Sequence, residues 1–367
     1  MRVAIVHDWL TTWAGAEVVL ERLLALLPQA DLYSTIDILP AEFRAGLRGR
    51  VPRTTALQHL PLLHQNYRML LPLMPVAIKA WDFSGYELIV SSSHAVAKGV
   101  TVPKGVRHVC YCHTPMRYAW DLEHAYMDAS GYRGAKAFVA RMVLARLRSW
   151  DRRTASGVTT FVANSHHIAA RIKRCYGRDS VVVYPPVDVD GFVCNDVPRT
   201  GPFITAGRIV QYKRVDLIVD AFRLRPNDRL TVIGDGPGRA AIEVGAPPNV
   251  HFTGRLPIGE LRQHMQSARG FLFAAEEDFG IAPVEAQACG TPVIAFGRGG
   301  AVATICGLDH ATPTGVFFGA QTPHAIARGI EEFTTNEHRI TAAACRANAQ
   351  RFSSARFDGE VRAVLGL

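Results

Sequence analysis

FITAGRIVQYKRVDLIVDAF, residues 203–222, contains a strand pattern, a glycine turn and a helix pattern in immediate succession. Phe203–Ala206 is a short apolar run typical of a buried strand, and Val215–Phe222 is apolar at helical spacing. Gly207 lies between them, where a residue without a side chain permits a tight turn. This succession predicts the start of a domain in which strands and helices alternate.

The N-terminal half opens on the same succession, with an apolar run at Val3–Val6, a glycine at Gly15 and a helical pattern that continues to Leu27. More strand patterns and one more helix pattern follow along the chain. They are Leu88–Val90, Val109–Cys112, Thr160–Ala163, Leu230–Ile233, Gly270–Phe273, the helix Pro283–Cys289, and Val293–Phe296. Strands that alternate with helices predict an α/β fold with parallel sheets and crossover helices.

The boundary between the two series is Tyr184-Pro185-Pro186-Val187-Asp188. Two consecutive prolines restrict the backbone and end a strand, so this segment is expected to be a stiff connector. A chain of 367 residues is long enough for two domains, each with its own core. We therefore expect an N-terminal domain at 1–187, a C-terminal domain at 188–348, and a helix at 349–367 that packs back on the N-terminal domain.

The excess of positive over negative charge lies in the first half of the chain. Residues 1–185 contain 23 Lys and Arg against 13 Asp and Glu, whereas residues 186–367 contain 18 against 19. A basic half suggests an acidic partner, either anionic lipid, nucleic acid or a phosphorylated substrate. The alternative is a solvated basic surface that keeps the protein soluble.

Cysteine usage and the apolar runs indicate a cytoplasmic protein without a membrane span. The seven cysteines are odd in number and irregular in spacing, which argues against a disulfide framework. The first residues, Met1–Asp8, are typical of a strand and not of a signal peptide. Met69–Ile78 is the longest apolar run, and it is too short to span a bilayer.

Glu276–Ala286, EEDFGIAPVEA, has the residue types of an anion and sugar site. Gly280 permits close backbone approach to a ligand, and Pro283 suits the first turn of a helix. The free N–H groups of that turn favour a phosphate. Glu277 and Glu285 can accept hydrogen bonds from sugar and ribose hydroxyls. The alternative is a helix that carries acids early because of its dipole.

Arg208 and Lys213 follow a strand at the end where open α/β sheets bind ligands. Arg208 can contact a phosphate with two N–H groups, and Lys213 can add a point charge. Together they can neutralise a departing diphosphate. The alternative is two solvated basic residues in a loop.

His113 follows Cys110-Tyr111-Cys112 at the end of a predicted strand. Cys-x-Cys-His suggests a metal site, but no second cysteine pair has matching spacing, so we expect no metal. A histidine hydrogen-bonded within the core is the other interpretation. Asp188-Val189-Asp190 resembles a metal motif, yet its place after the double proline indicates a hinge.

These motifs together resemble glycosyltransferase family 4 over nearly the whole chain. The matching pieces are Gly15-Ala16-Glu17, His113-Thr114-Pro115, Asn164-Ser165, Pro185-Pro186-Val187-Asp188, Gly207-Arg208 with Lys213, Gly234-Asp235-Gly236-Pro237, Phe252-Thr253-Gly254-Arg255, and Glu277 with Glu285 around Phe279-Gly280. The resemblance implies the GT-B fold, with two Rossmann-like domains facing each other across a cleft. It also implies a retaining reaction, with no cofactor and no catalytic metal.

The resemblance also implies residue roles. Arg208 and Lys213 would bind the donor diphosphate, Glu285 the ribose, and Glu277 the donor sugar. His113 would reach the donor sugar, in binding or in catalysis. The other donor-binding positions are Gly15, Gly236, Arg255, Phe279, Gly280 and Ile281. One departure concerns the first loop, where many members carry two glycines and this sequence has Ala14 before Gly15.

Phe43 to Trp81 contains no Asp or Glu, and its basic residues lie among Leu, Met, Pro and Trp. The basic residues are Arg44, Arg48, Arg50, Arg53, Arg68 and Lys79. This pattern predicts an interfacial segment that places the acceptor-binding domain on an anionic membrane surface. A second basic run, from Lys136 to Arg153, indicates either the same role or an ordinary amphipathic helix.

The segments around His7-Asp8-Trp9 and His113 resemble the bacterial mannosyltransferases of O-antigen and exopolysaccharide assembly. The prediction is therefore a transferase that moves a hexosyl group, with mannose from GDP-mannose favoured, to a lipid-diphosphate-linked oligosaccharide. It would work at the inner face of the cytoplasmic membrane. The alternatives are an epimerase or phosphorylase of the same fold, and a nucleic-acid-binding protein, which no recognisable nucleic-acid motif supports.

Overall fold

The computed structural model describes residues 1–60, 67–120, 133–194 and 198–367. The chain forms two compact units. Unit 1 comprises Met1–Pro185 and Asp358–Leu367, and unit 2 comprises Pro186–Phe357. The chain thus passes from one unit to the other within the double proline, slightly before the boundary at 187, and returns at residue 358 instead of 349.

Unit 1 contains a parallel sheet of six strands in the order β2-β1-β3-β4-β5-β6. The strands are β1 Val3–His7, β2 Asp31–Ser34, β3 Leu88–Ser93, β4 Arg107–Cys112, β5 Thr160–Ala163 and β6 Ser180–Val182. The helices are α1 Gly15–Leu26, α2 Met74–Ala77, α3 Arg117–Trp120, α4 Gly134–Thr154 and α5 His166–Tyr176. The predicted parallel sheet with crossover helices is confirmed in this unit.

Unit 2 contains a second parallel sheet of six strands, in the order β12-β11-β10-β7-β8-β9. Its strands are β7 Phe203–Ala206, β8 Leu230–Ile233, β9 Val250–Gly254, β10 Phe271–Phe273, β11 Val293–Phe296 and β12 Gly315–Phe318. Its helices are α6 Val215–Arg223, α7 Arg239–Val244, α8 Ile258–Ser267, α9 Ile281–Ala288, α10 Ala301–Thr304, α11 Pro323–Asn336 and α12 Ala342–Gln350. The last helix, α13 Ser354–Leu365, starts in unit 2 and ends in unit 1.

The central strands are largely buried because helices cover both faces of a parallel sheet. All five residues of β1 are buried, as are the four of β11. The helices that cover the sheets are amphipathic, and α5 shows both of its end signals. The Ser165 hydroxyl accepts a hydrogen bond from the Ile168 N–H, and Gly177 closes the helix at φ 70°.

The C-terminal residues are attached to unit 1 by side-chain contacts. Arg22 forms an ion pair with Asp358, and its Nε lies 3.1 Å from Oδ1 of that carboxylate. Arg107 donates hydrogen bonds to the carbonyls of Val364 and Leu365. Within the described ranges, no helix has the length and apolar character that a bilayer span requires.

In each sheet the parallel strands end at one edge, so the loops that follow them meet there. In unit 1 these are the loops after β1, β3 and β4, which contain Asp8, His94 and His113. In unit 2 they are the loops after β7, β8, β9 and β10. The sequence-predicted polar residues lie at these two edges.

Candidate active site

The loops after β7 and β8 contact each other backbone to backbone. The Gly207 N–H donates to the Ile233 carbonyl at 3.0 Å, and the Ile209 N–H donates to the Asp235 carbonyl at 2.9 Å. A Cβ added to Gly234 (φ 130°) would lie 2.0 Å from the Gly207 carbonyl oxygen. Only glycine permits this approach, which fixes the loop that carries Arg208.

Lys213 and Glu277 form an ion pair at the carboxyl edge of the second sheet. Lys213 ends a 3-10 turn, Gln211–Lys213, and Glu277 lies in the loop after β10. The Nζ–Oε1 distance is 3.0 Å, and the two side chains are only 21% and 18% exposed. Burial lowers the pKa of the Lys213 ammonium, but attraction from Glu277, Tyr212 and Glu285 outweighs it and leaves that pKa raised.

Arg208 lies in the same loop with its side chain exposed. Its guanidinium forms no ion pair with any residue in the described ranges, whereas Lys213 is already paired. Of these two cations, Arg208 is available to an anion, whereas Lys213 would have to exchange its partner.

Helix α9 begins at the same edge, directly after Gly280, which has φ 86°. The left-handed backbone there turns the chain into the helix, and its first N–H groups lack partners within the helix. A Cβ on Gly280 would lie 3.2 Å from Cζ of Phe273. The turn predicted from Gly280 and Pro283 is confirmed, with α9 starting two residues before Pro283.

Glu285 is partly exposed on α9. Burial of its carboxyl group raises the pKa to about 7, and the nearby Asp188 carboxylate adds to the increase, against Lys213 and Arg262. The carboxyl group of Glu285 therefore interacts electrostatically with both Lys213 and Asp188. A carboxyl group with this pKa exchanges its proton near neutral pH.

A glycine pair after β11 supports the Glu277 loop, and sequence reasoning missed it. The Gly300 N–H donates to the Glu277 carbonyl at 2.7 Å. A Cβ on Gly300 would lie 2.3 Å from Cα of Phe279, and one on Gly299 would lie 2.5 Å from the Glu277 carbonyl oxygen. The signal was present as the run Gly297-Arg298-Gly299-Gly300 directly after a strand.

The remaining donor-binding predictions of unit 2 lie at the same sheet edge. Gly236 is in the loop after β8, and Arg255 follows β9 with an exposed side chain. The loops are joined through the Gly234 N–H, which donates to the Gly254 carbonyl at 2.8 Å. Phe279 is buried and its ring contacts Phe352 edge to face, so its side chain packs in the core. Only the backbone of Phe279 is left for the predicted contact with the donor.

In unit 1, His113 belongs to a buried hydrogen-bonded chain. Ser92 Oγ lies 2.8 Å from His113 Nε2 and 3.0 Å from His7 Nδ1. The other nitrogen of His7, Nε2, lies 3.4 Å from Glu17 Oε1. The second carboxylate oxygen of Glu17 accepts from the Ala14 N–H at 2.9 Å, which fixes the start of α1 at Gly15.

The chain of bonds determines which nitrogen of His113 carries the proton. Burial raises the pKa of Glu17, but its hydrogen bond with His7 contributes most to the opposing effect that leaves that pKa lowered, so Glu17 is an acceptor. With a neutral His7, Nε2 of that ring donates to Glu17, Ser92 donates to His7 Nδ1, and His113 donates from Nε2 to Ser92. His113 is left with an unprotonated Nδ1.

Burial also lowers the pKa of His113 well below its ordinary value, and the neighbouring His94 and His7 rings add to this effect. His113 is therefore neutral at neutral pH, with Nδ1 as a hydrogen-bond acceptor. The sequence allowed two interpretations of His113, a partner within the core and a contact with a ligand, and the two are compatible. Nε2 bonds to Ser92 within the core, and Nδ1 is left to accept a hydrogen bond from a ligand.

His94 and Asp8 complete the unit 1 cluster, and sequence reasoning did not assign either a role. The buried Asp8 carboxylate accepts from the backbone N–H groups of residues 94–97, at 2.5 to 2.9 Å. It also lies 3.1 Å from His94 Nδ1. Asp8 therefore fixes the loop after β3, and no local sequence signal connects a residue after β1 to that loop.

The six basic residues predicted to face a membrane differ in their environments. Arg44 binds Asp37 through two N–H groups, at 2.6 and 2.9 Å, and Arg53 pairs with Asp31 at 3.3 Å and with Tyr33. The side chains of Arg48, Arg68 and Lys79 are exposed, and Arg50 is half-buried. Residues 61–66 of the acid-free segment lie outside the described residues. The absence of acids within the segment did not predict pairing with acids outside it.

The fold and the two polar clusters define a class before any sequence comparison. Each unit is a parallel α/β domain whose polar residues lie at the carboxyl edge of its sheet. The solved structure of Anabaena Alr3699/HepE in complex with UDP has a TM-score of 0.73 at 17% identity, and the match covers 100% of both chains. Sucrose-phosphate synthase from Thermosynechococcus elongatus also has a TM-score of 0.73 at 17% identity, covering 100% of this chain and 98% of that one. The molecule has the GT-B fold.

The sequence comparisons define the family. Residues 13–190 match the family described as Glycosyltransferase Family 4, and residues 199–352 match Glycosyl transferases group 1. The chain belongs to glycosyltransferase family 4.

Two curated relatives show the range within the family. A GDP-mannose-dependent alpha-(1-6)-phosphatidylinositol monomannoside mannosyltransferase of Mycolicibacterium smegmatis is 30% identical over 206 residues, which cover 48% of this chain and 52% of that protein. A D-inositol 3-phosphate glycosyltransferase of Jonesia denitrificans is 32% identical over 146 residues, 34% of each. The matches therefore span about half or less of the length of these relatives.

Proposed function

We propose that this protein transfers a hexosyl group from a nucleotide diphosphate sugar to a hydroxyl group of a lipid-linked glycan, with mannose from GDP-mannose as the favoured donor. The observation that carries the proposal is the grouping of Arg208, the Lys213–Glu277 pair and the start of α9 at one sheet edge. Cations, a helix N-terminus and carboxylates match a diphosphate, a developing negative charge and sugar hydroxyls.

In this proposal the diphosphate binds to the cationic side chains at the carboxyl edge of the second sheet. Arg208 binds phosphate oxygens directly, and Lys213 exchanges part of its contact with Glu277 for the diphosphate. Glu277 can then accept hydrogen bonds from the donor sugar, and Glu285 from the ribose. The charge that develops on the leaving diphosphate is stabilised by groups that are already in place.

The same grouping supports a reaction that needs no divalent ion, because the protein itself supplies positive charge. We propose that activity persists in excess EDTA. Complete loss of transfer in EDTA, restored by Mg²⁺ or Mn²⁺, would contradict the role given to Arg208 and Lys213.

The mannose assignment is supported by the mycobacterial relative, whose name specifies GDP-mannose. The structure of Anabaena Alr3699/HepE in complex with UDP-glucose supports a UDP sugar as the competing donor. A thermal-shift comparison of GDP-mannose, UDP-glucose and UDP-N-acetylglucosamine at equal concentration separates the two, because a ligand that binds the native state raises its stability by mass action. Stabilisation by a UDP sugar and not by GDP-mannose would replace the donor and leave the family assignment in place.

Transfer itself is tested with the stabilising donor and a lipid-linked acceptor. We expect a product in which the anomeric configuration of the donor is retained, as determined by NMR of the new linkage. Conversion of the donor sugar without any acceptor would indicate an epimerase instead.

A further inference from the structure

Unit 1 contains an apolar groove of about 590 Å³, one wall of which lies within the acid-free segment Phe43–Trp81. One wall is the segment that contains Met69, Leu71 and Met74, and the other is helix α4. Trp9 also lines the groove. A volume of this size is typical of a site for a small molecule.

Exposed apolar side chains are concentrated on the two segments that form the walls of this groove, and Met69 and Val139 among them line it. Six of the large apolar residues with exposed side chains come from only two short segments, and their exposures range from 42% to 69%. They are Met69, Leu73, Val76, Phe138, Val139 and Met142. An apolar surface of this kind is costly in water, and in soluble proteins it indicates contact with an apolar partner.

Among the described residues that line the groove, the charged side chains are all cationic. Lys136 and Arg68 line it, and both side chains are exposed. The sequence has no Asp or Glu from 43 to 81 or from 133 to 150, the two ranges that contain the described lining residues of both walls. An apolar channel with cations at its surface is complementary to a molecule that has a hydrocarbon chain and an anionic head.

The groove also leads to the histidine cluster. The Trp9 ring, which lines it, contacts the His94 ring edge to face, with 4.6 Å between their centroids. His94 in turn lies beside His113, with 6.3 Å between centroids. A chain bound in the groove would therefore lie in the same unit as the residues proposed to contact the transferred sugar.

We propose that this groove binds the hydrocarbon chain of a long-chain lipid phosphate, with the phosphate beside Lys136. The proposal rests on the proposed function in one respect, because a lipid-linked acceptor has this chemistry. It differs from docking through Arg44 and Arg53, whose charges are engaged by Asp37 and Asp31.

The test is a calorimetric titration of the full-length protein with dodecyl phosphate below its micelle concentration, without any nucleotide sugar. We expect saturable binding of one molecule per chain. Ala140→Trp places a large ring in the groove and should weaken binding about tenfold or more. Ala145→Trp is the matched control, because Ala145 is exposed on the same helix and does not line the groove.

A second pair of variants tests the charge. Lys136→Ser should weaken binding of dodecyl phosphate about fivefold at low salt and less at high salt, where screening shortens the range of the charge. Arg146→Ser, at an exposed position of the same helix outside the groove lining, should leave binding unchanged. Dodecyl maltoside, with an uncharged head, should bind more weakly than dodecyl phosphate.

Three results would overturn the proposal. They are equal binding in Ala140→Trp and wild type, competition by inorganic phosphate alone, and a dimer in solution that Ala140→Trp dissociates. Circular dichroism checks that each variant folds, and Ala135→Trp provides a second groove-filling variant if Ala140→Trp does not fold. Because no donor is used, lack of binding with normal transfer contradicts only this proposal, whereas normal binding without transfer contradicts only the proposed function.

Discussion

Arg208 and Lys213 are separated by only four residues, but their environments give them different roles. Lys213 is largely buried and paired with Glu277, and Arg208 is exposed and has no such partner among the described residues. A variant of Lys213 therefore removes the proposed diphosphate contact and also leaves the largely buried Glu277 carboxylate without its partner. A variant of Arg208 removes only the proposed diphosphate contact.

Arg208→Ala and Lys213→Ala should each lower kcat/KM about a hundredfold, because each removes stabilisation of the leaving diphosphate. Lys213→Ala should also lower the melting temperature, while Arg208→Ala should leave it nearly unchanged. Steady-state kinetics and calorimetry measure the two effects. Near-normal turnover in both variants would remove these residues from the site.

Glu285 gives a stability difference that depends on pH. Its pKa is raised from the ordinary value of 4.5 to about 7, chiefly by burial, so the folded state binds its proton more tightly than the unfolded state. The stabilising contribution of that proton is complete below pH 4.5 and is lost as the pH rises to about 7. The free energy of unfolding of the wild type, relative to Glu285→Gln, should fall across this window.

Urea unfolding of both proteins between pH 4 and pH 8 measures this difference. A constant difference across the range would show that Glu285 has the same proton affinity in both states. The Gln variant is the matched form, since it keeps the shape of the side chain and does not titrate.

The tautomer of His113 depends on Ser92. Ser92→Ala removes the oxygen that accepts from His113 Nε2, so the proton should redistribute between Nδ1 and Nε2. Nitrogen NMR of histidine-labelled protein reports the tautomer directly. We expect the Nε2-protonated form in the wild type and in Ser92→Thr, and a mixture in Ser92→Ala. An Nδ1-protonated ring in the wild type would contradict the assigned direction of the hydrogen bonds.

At the scale of elements, the spacing of apolar residues and the turn residues between them predicted most strands of both sheets. Thr160–Ala163, Phe203–Ala206, Leu230–Ile233 and Val293–Phe296 are strands with the bounds expected from sequence. Buried parallel strands are continuous apolar runs, which sequence alone reveals. The sheet order and the pairing between loops depend on contacts across the chain, and no local pattern contains them.

The same reasoning explains what was missed in the sites. Asp8 binds the loop at residues 94–97, and Gly300 binds Glu277, so each connects segments that are distant in sequence. The ion pair of Arg44 with Asp37 has the same origin, because the acid lies outside the acid-free segment. Residue type and spacing selected Lys213 and Glu277 as candidate site residues, but their direct contact became visible only in the fold.

Gly234→Ala and Gly300→Ala test how the loops are held. Each substitution would force a Cβ against backbone, at 2.0 Å in the first case and 2.3 Å in the second. We expect each to destabilise the protein by about 2–4 kcal/mol, through strain and overpacking. Gly259→Ala is the control, because its Cβ would meet open space within α8 and should stabilise the helix by about 0.5–1 kcal/mol.

Chemical denaturation measures these differences. Loss of donor binding with unchanged stability in Gly300→Ala would indicate that the glycine acts on the ligand instead of the loop. Unchanged stability together with unchanged donor binding would contradict the backbone contact itself.

At the scale of the whole molecule, the charge is concentrated on one unit while the donor cluster is on the other. Residues 1–185 contain the excess of Lys and Arg, and unit 2 is nearly neutral in its sequence. We propose that the basic unit attracts the protein to the anionic inner face of the cytoplasmic membrane. Such attraction is reversible and falls with added salt.

Two double variants show which cations of unit 1 contribute to this attraction. Arg44 and Arg53 are paired with Asp37 and Asp31, so Arg44→Ser with Arg53→Ser should weaken binding to anionic vesicles only slightly. Arg48→Ser with Arg50→Ser should weaken it more, by up to about 1 kcal/mol for each charge, because the described residues give these two cations no ion pair. Co-sedimentation with vesicles of varied anionic-lipid content, at low and high salt, measures the difference.

Equal binding to neutral and anionic vesicles would show that charge does not hold the protein at the membrane. Equal losses in the two double variants would show that the ion pairs with Asp31 and Asp37 do not screen Arg44 and Arg53.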